Sequence, residues 1–300
     1  MTTVARAPEA LAPGRVCAVV VTRDRRELLR RCLTALRQED RPPDAVLVVD
    51  NASSDGSAGL VEDEFPEAEL LRLEENVGGA GGFRRGVERA HAAGYDWIWL
   101  MDDDTIANGN SLGALLAGAA RAPHGVPPMV VSQVRWKDER LHPMNLPVPR
   151  WRWRGELAEG VVAGLLLIRY ATFVSVAVHR TAIDRFGLPL EHYFIWGDDV
   201  EFTARVLRDH PGYLVPESIV YHWTPSPHPA ATPTSDRFYY HARNSLMILR
   251  GSSLGAVERF DYGRYYVRTL VEYLRVNRGA PRRWLLLLRA LRDGLRGSIR

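Results

Sequence analysis

Cysteine is almost absent from this 300-residue chain: Cys17 and Cys32 are the only two, and they form no CxxC pair. That excludes a zinc ribbon and a disulfide framework, and makes a reducing cytoplasm the expected setting. Lysine is scarcer still, with Lys137 the single example, so the 39 basic residues are nearly all arginine. The net charge is nonetheless only +3, which gives no general nucleic-acid-binding surface. The opening "MTTVARAPEALAPGR" lacks the apolar core of a signal peptide. The most apolar stretches, "VVAGLLLIRYATFVSVAV" and "WLLLLRALRDGL", are cut by Arg169 and Arg289, so no transmembrane helix is expected. Neither GxGxxG nor GxxxxGK[ST] can be laid on the Gly-rich "NVGGAGGFRRG", which excludes the usual dinucleotide and P-loop fingerprints.

Present instead is an ordinary globular composition, 46% hydrophobic and 25% charged, long enough for one large domain or two smaller ones. The first hundred residues alternate strand and helix patterns. "VCAVVVT" (16–22), "AVLVVD" (45–50), "AELLRL" (68–73) and "DWIWLMDDD" read as buried strands, with helical spacing between them. Repeats of this kind predict an α/β fold with βαβ units and a parallel sheet, which binds ligands at the carboxyl ends of its strands. Residues 121–160, rich in Pro, Trp and Arg, read as an irregular insert. Strand patterns return at "VVAGLLLI", "FVSVAV" and "ESIVYHW", and from Asp236 onward the pattern is helical.

Chemistry concentrates at a few strand ends. Three aspartates, Asp102, Asp103 and Asp104, follow the apolar run "WIWLM". In an extended strand Asp102 and Asp104 share one side and Asp103 faces the other. Two hard oxygen ligands at D-x-D spacing suit Mg2+ or Mn2+, although Asp also commonly closes a strand in a turn. The Gly-rich junction Asn76–Gly86 offers either amides and a helix N-terminus for an anion, or simply close packing of helix on sheet. In "WGDDVEF", Asp198 and Glu201 have the spacing of a capping box, which leaves Asp199 free as a general base. His222, ending a strand in "VYHW", is either a metal ligand or a structural imidazole. Trp196 borders these acids, with core packing as its ordinary role.

In this order, "CAVVVTRDR", "VVDNASSDGS", "NVGGAGGF", "WIWLMDDDT", "FIWGDDVEF" and "YHW" resemble the inverting family-2 glycosyltransferases of GT-A fold. "NVGGAGGF", "GDDVEF" and "FYYHARNSLMIL" look particularly like galactofuranosyltransferases and rhamnosyltransferase-like enzymes of bacterial envelope polysaccharide assembly. The resemblance implies a Rossmann-like, mainly parallel sheet flanked by helices. It spans a catalytic domain at 15–235 (nucleotide half 15–105, acceptor half 106–235), after a flexible N-terminus at 1–14 and before a helical region at 236–300.

By motif, Val21, Thr22, Arg23 and Asp50 would hold the nucleotide base. Asn76, Gly78, Gly79 and Gly82 would lie along nucleotide and sugar. Asp102 and Asp103 would face the donor diphosphate, and Asp102, Asp104 and His222 a Mn2+ or Mg2+ ion. Asp199 would deprotonate the acceptor, with Asp198 as the alternative base, since "WGDD" replaces the "ED" of many members. Trp196 would border the acceptor. The implied donor is a UDP-sugar, or else a TDP-sugar, and the acceptor a saccharide or polyprenyl-linked glycan. The basic amphipathic C-terminal helices would either lie on the inner face of a membrane or pack on the catalytic domain; a homo-oligomer is compatible with all of this. Two rivals remain on the residues alone. One is a sugar-nucleotide-forming nucleotidyltransferase and the other a non-catalytic nucleotide-sugar-binding module.

Overall fold

The computed structural model describes residues 14–227 and 233–297, so nearly all of the segment expected to be a flexible N-terminus lies outside the described residues. Ten strands build one mixed sheet: β1 Val16–Thr22, β2 Ala45–Asp50, β3 Glu69–Arg72, β4 Trp97–Asp102, β5 Thr105–Ala107, β6 Met129–Arg135, β7 Val148–Pro149, β8 Leu166–Tyr170, β9 Val176–His179 and β10 Gly212–His222. The helices are α1 Arg26–Arg37, α2 Ser57–Glu64, α3 Gly78–Ala92, α4 Ser111–Ala120, α5 Arg154–Val162, α6 Arg180–Phe186, α7 Asp198–Val206, α8 Phe238–Arg250, α9 Ala256–Val276 and α10 Pro281–Arg296.

Strand order is β3-β2-β1-β4-β9-β6-β10-β8-β7, with β5 paired to β10. Every residue of β1 is buried, as a β-branched run covered on both faces should be. The parallel pairing expected for the first half holds for β1 with β2, β1 with β4 and β2 with β3. The register sets Thr22 opposite Asp50 and Val21 opposite Asp102, so three strand ends reach one edge together.

Beyond β4 the sheet departs from the parallel expectation, because β9 runs antiparallel between β4 and β6. The segment read as an irregular insert, 121–160, is corrected as well. It carries β6, an interior strand parallel to β10, and the helix α5. Flanking prolines and the Trp/Arg-rich stretch that follows mask the apolar "MVV" of β6 in the sequence. The run "VVAGLLLI" is not one strand either, since Val161 and Val162 end α5 and are 62% and 90% exposed, and β8 starts at Leu166.

Glycines in α3 bring it onto the sheet. A Cβ on Gly82 would lie 2.6 Å from Val21 Cγ1, and one on Gly86 would lie 2.3 Å from Val19 Cγ1. These contacts fit the close-packing reading of the two positions. At the C-terminal end, α8 is shared between two packing clusters. Phe238 and Ala242 pack with Tyr273 of α9 and Leu287 and Ala290 of α10. Met247 and Ile248 pack instead with Tyr193 and Ala80 beside the cleft. Among the described residues no helix is long and apolar enough to cross a membrane.

Candidate active site

The end of β1 answers the question posed by three consecutive aspartates. Thr22 Oγ1 donates to Asp103 Oδ2 at 2.8 Å, and the Arg23 amide donates to the same oxygen at 3.4 Å. Asp103 thus faces the neighbouring strand end; residues 103–104 form a turn, so the side-to-side alternation expected of an extended strand does not hold, and all three acids line one cavity. Arg25, at the entry to α1, places its guanidinium between Asp103, at 3.6 Å, and Asp104, to which it donates a short hydrogen bond. His222, at the end of β10, sets Nε2 3.0 Å from Asp104 Oδ1. Its other nitrogen, Nδ1, lies 2.8 Å from Asn145 Oδ1. An amide oxygen can only accept, so Nδ1 donates to it, and this bond orients the ring with Nε2 toward Asp104.

Ligand atoms of Asp102, Asp104 and His222 all lie within 4.8 Å of one another. Two observations make this a fit for a hard divalent cation. Among the described residues Asp104 Oδ1 is buried without an aligned hydrogen-bond donor, and the site gathers more negative charge than Arg25 balances. Burial, followed by the charge of Asp104, pushes Asp102 up to about 6. Burial pushes Asp103 up to about 7. Burial opposes ionisation of Asp104 too, but the hydrogen bonds and charges of His222 and Arg25 outweigh it and hold that carboxyl below its ordinary value. A carboxylate–imidazole set of this kind suits Mn2+ and Mg2+.

Across the cleft stands the N-terminus of α7, reached through a strained turn. Phe194 and Trp196 have φ of 64° and 63°, and Gly197 has φ of 87°. Non-glycine residues there cost on the order of 1–3 kcal/mol each and persist only when their surroundings hold them. The restraint comes from α8. Asn244 Nδ2 lies 2.9, 2.9 and 2.6 Å from the carbonyl oxygens of Tyr193, Ile195 and Trp196. Arg243 donates to the carbonyls of His192 and Tyr193, and the Phe194 ring stacks on Tyr240. From the other side the Ala80 amide donates to Phe194 O at 3.1 Å. Gly78, at φ +74°, is required here, since a Cβ would fall 2.0 Å from Phe194 O.

The turn corrects the capping-box expectation. Gly197 is the N-cap and supplies no side-chain bond; Asp198 is already the first helical residue, and Glu201 bonds Arg205 at 2.9 Å. Both aspartates line the cleft. Burial, then the charge of Asp199, pushes Asp198 well above its ordinary value. Burial raises Asp199 only to about 6. At that value Asp199 is able to be a carboxylate, and so to accept a proton, at pH 7.

A cavity of about 1450 Å³ joins Val21, Thr22, Arg23, Asn76, Gly78, Gly79, Asp102, Asp103, Asp104, Trp196, Asp198, Asp199 and His222. Two expected members stand apart from its lining. Gly82 faces Val21 as described, and Asp50, 2% exposed, accepts from the Ser53 amide at 3.1 Å and shapes the turn after β2. The Gly-rich turn also differs from an anion cradle. The amides of Val77 and Gly78 are already bonded to Asn51 Oδ1 and Asn76 Oδ1. Sequence reasoning missed Arg25, Asn51, Asn145 and Asn244. Arg25, Asn51 and Asn244 lie within the quoted "CAVVVTRDR", "VVDNASSDGS" and "FYYHARNSLMIL", but those motifs named no role for them, and Asn145 carried no signal.

Compared with known proteins, residues 17–187 match the family described as Glycosyl transferase family 2. Galactofuranosyltransferase GlfT1 of Mycolicibacterium smegmatis is 38% identical over 204 residues, which is 64% of this chain and 65% of that protein. Galactofuranosyltransferase GlfT1 of Mycobacterium tuberculosis is 33% identical over 197 residues, 64% of each chain. The matched stretches thus span just under two thirds of those relatives. Among solved structures, S. aureus TarS 1–349 in complex with UDP-GlcNAc superposes with a TM-score of 0.63 at 14% identity, covering 94% of this chain and 81% of that one. Mannosyltransferase PcManGT of Pyrobaculum calidifontis, in complex with GDP-Man and Mn2+, gives 0.56 at 17% identity, covering 96% and 82%. These two show the fold, of GT-A type. With the family match extending over more than half of its residues, the chain belongs to glycosyl transferase family 2.

Proposed function

We propose that the protein is a divalent-metal-dependent inverting glycosyltransferase of cell-envelope polysaccharide synthesis. It transfers galactofuranose or rhamnose from a nucleoside diphosphate, UDP before TDP, to a saccharide or polyprenyl-linked acceptor. The observation that carries this reading is that Asp102, Asp104 and His222 cluster within 4.8 Å in the same cavity as Asp199. The relatives named galactofuranosyltransferases support the sugar, and the neighbour holding UDP-GlcNAc supports the base.

Asp102, Asp104 and His222 would hold the Mn2+ or Mg2+ ion, which when bound neutralises the acids and polarises the diphosphate leaving group. The acceptor hydroxyl attacks the anomeric carbon and Asp199 takes its proton. A new C–O bond forms as the bond from that carbon to the diphosphate oxygen breaks, so one displacement inverts the centre. Thr22 and Arg23 flank the nucleotide, Trp196 borders the acceptor, and Asn244 fixes the turn that aims Asp199.

A panel of UDP- and TDP-sugars with a lipid-linked disaccharide, read by mass spectrometry and NMR, tests the proposal. One added hexose with inverted configuration is expected. Pyrophosphate release from a nucleoside triphosphate and a sugar phosphate would instead establish the nucleotidyltransferase, and sugar-nucleotide binding without any turnover the non-catalytic module.

Two results concern the metal. Asn145→Ala frees His222 to rotate and is expected to weaken Mn2+ binding by roughly 10- to 100-fold, measured by calorimetry. Asp102 must lose its proton to bind a cation, and its folded value is about 6. Mn2+ affinity should therefore rise with pH through about 6 and flatten above it. Melting temperature with and without Mn2+ from pH 5 to 7.5 checks this, and a shift largest at pH 5 would contradict it.

The reading also places the enzyme on the cytoplasmic membrane face. Exposed Leu285, Leu288 and Leu295 of α10 lie between Arg282, Arg289, Arg292 and Arg296, and α9 exposes Phe260, Val267 and Val271 among further arginines. Such a surface suits anionic lipid. Flotation with phosphatidylglycerol liposomes should be lost when Leu285 and Leu288 become Asp; flotation unchanged would exclude this surface.

A further inference from the structure

The cavity extends beyond the acidic cluster toward the opposite end of α7, and that arm holds a charge the proposed chemistry does not use. Arg150, directly after β7, is 5% exposed and lines the cavity. Its Nη2 donates to the carbonyls of Leu207 and Arg208, just past the end of α7. Its Nε and Nη1 are buried and, among the described residues, have no hydrogen-bond partner. The guanidinium lies 3.7 Å over the Trp153 ring, which fixes its plane.

The carboxylates of Glu258, Asp209 and Glu156 act on Arg150, but among the described residues none hydrogen-bonds its Nε or Nη1. Arg169, 2% exposed, is committed to Glu258 at 2.6 Å and to the carbonyls of Ala204 and Ser253. Glu258 also accepts from the Gly255 amide. Asp209 shares the cavity wall but is exposed, and Arg208 and Arg152 bring further positive charge to the same wall. Capping a helix would need one of the Arg150 nitrogens; two remain. Buried guanidinium donors without acceptors are costly, and each such N–H can donate to an anionic oxygen of a phosphate.

We propose that the arm around Arg150 is a second anion site, separate from the Asp102–Asp104–His222 group, and that it takes a phosphate or diphosphate carried by the acceptor. This rests on the glycosyltransferase reading given above. The donor diphosphate belongs at the other end, since Asp199 begins α7 and Leu207 follows its last turn, about 12 Å away at 1.5 Å per residue. That separation leaves space for the acceptor's terminal sugars between its anionic group and the attacked hydroxyl.

The test uses the full chain and inorganic pyrophosphate in EDTA. Without metal, the acidic cluster repels that probe. Calorimetry and the 15N signals of arginine Nε should show saturable binding with one perturbed arginine. Arg150→Gln should weaken it roughly tenfold, a charge-assisted bond's worth, and Arg150→Lys by less. No saturable binding by the wild-type protein overturns the proposal without any variant. Binding indifferent to Arg150→Gln overturns it as well; should that variant fail to fold, Trp153→Leu and Arg150→Lys replace it.

A kinetic arm separates the two sources of the anion. The acceptors are an alkyl-diphosphate-linked saccharide, a soluble saccharide 1-phosphate and an uncharged alkyl glycoside. In wild type the lowest KM should belong to a charged acceptor, and in Arg150→Gln its advantage over the glycoside should shrink about tenfold. Whichever charged acceptor loses more identifies lipid-borne diphosphate or free sugar phosphate as the source. An advantage undiminished in the variant contradicts the site. Absence of transfer to all three would defeat the glycosyltransferase reading, while pyrophosphate binding would still report on Arg150.

Discussion

Asp199→Asn is expected to lower sugar transfer by roughly a hundred- to ten-thousand-fold, the usual contribution of a general base, with donor affinity nearly unchanged. The substitution keeps shape and the hydrogen bond from the Val200 amide, which Oδ1 accepts at 2.7 Å. What disappears is the ability to hold a proton. In the parent enzyme kcat/KM should rise with pH through about 6, because burial raises the Asp199 carboxyl to that value and only the carboxylate accepts. Asp198 shares the cleft but is not the assigned base, so Asp198→Asn should leave that pH profile in place while Asp199→Asn removes it. Equal loss of donor affinity in both variants would contradict the division of roles. These outcomes are read from steady-state kinetics alongside UDP titration.

Asn244→Ala should reduce kcat by about a hundredfold, the scale at which a misplacement of about 1 Å is felt. One amide holds three carbonyls of a turn that contains two left-handed non-glycine residues. Without it, Phe194 and Trp196 can relax toward ordinary backbone conformations and carry the start of α7 with them. Asn244→Asp is expected to fail equally, since a carboxylate cannot donate to three carbonyls. A residue needed for folding alone would leave the kinetic pH profile where it was. Here the apparent pKa near 6 should fall toward the ordinary value of 3.8 as water reaches Asp199. KM for the donor should move little, because Thr22, Arg23 and the acidic cluster belong to other elements. A normal kcat in a folded Asn244→Ala protein would remove the positioning role.

How far these features could be read in advance depended on how local their cause is. β1, β2 and β4 were legible because strands buried on both faces need continuous apolar runs, and the aspartates ending β4 followed from the same pattern. His222 was legible as an imidazole at a strand end, but only the pairing of β10 with β5 and β6 brings it near Asp104. The capping-box reading of Asp198 and Glu201 failed because Gly197 adopts φ 87° and takes the cap position itself. Asn244 sits in an unremarkable helical pattern, and its partners lie about fifty residues earlier, chosen by the packing of α8 against the cleft. Asn145 and Arg150 sit in a Pro-, Trp- and Arg-rich stretch with no periodicity to assign them. β6 was obscured in the same way, by the residues flanking it.

The central claim is that the acids at the end of β4 and the imidazole at the end of β10 act through one divalent cation that also holds the donor's diphosphate. Calorimetric titration of UDP into the protein, with Mn2+ and again with EDTA, tests it most directly, with His222→Ala run alongside. The account predicts tight binding with Mn2+, loss of most of it in EDTA, and a demand for more Mn2+ in the variant. UDP binding equally tight in EDTA would contradict it.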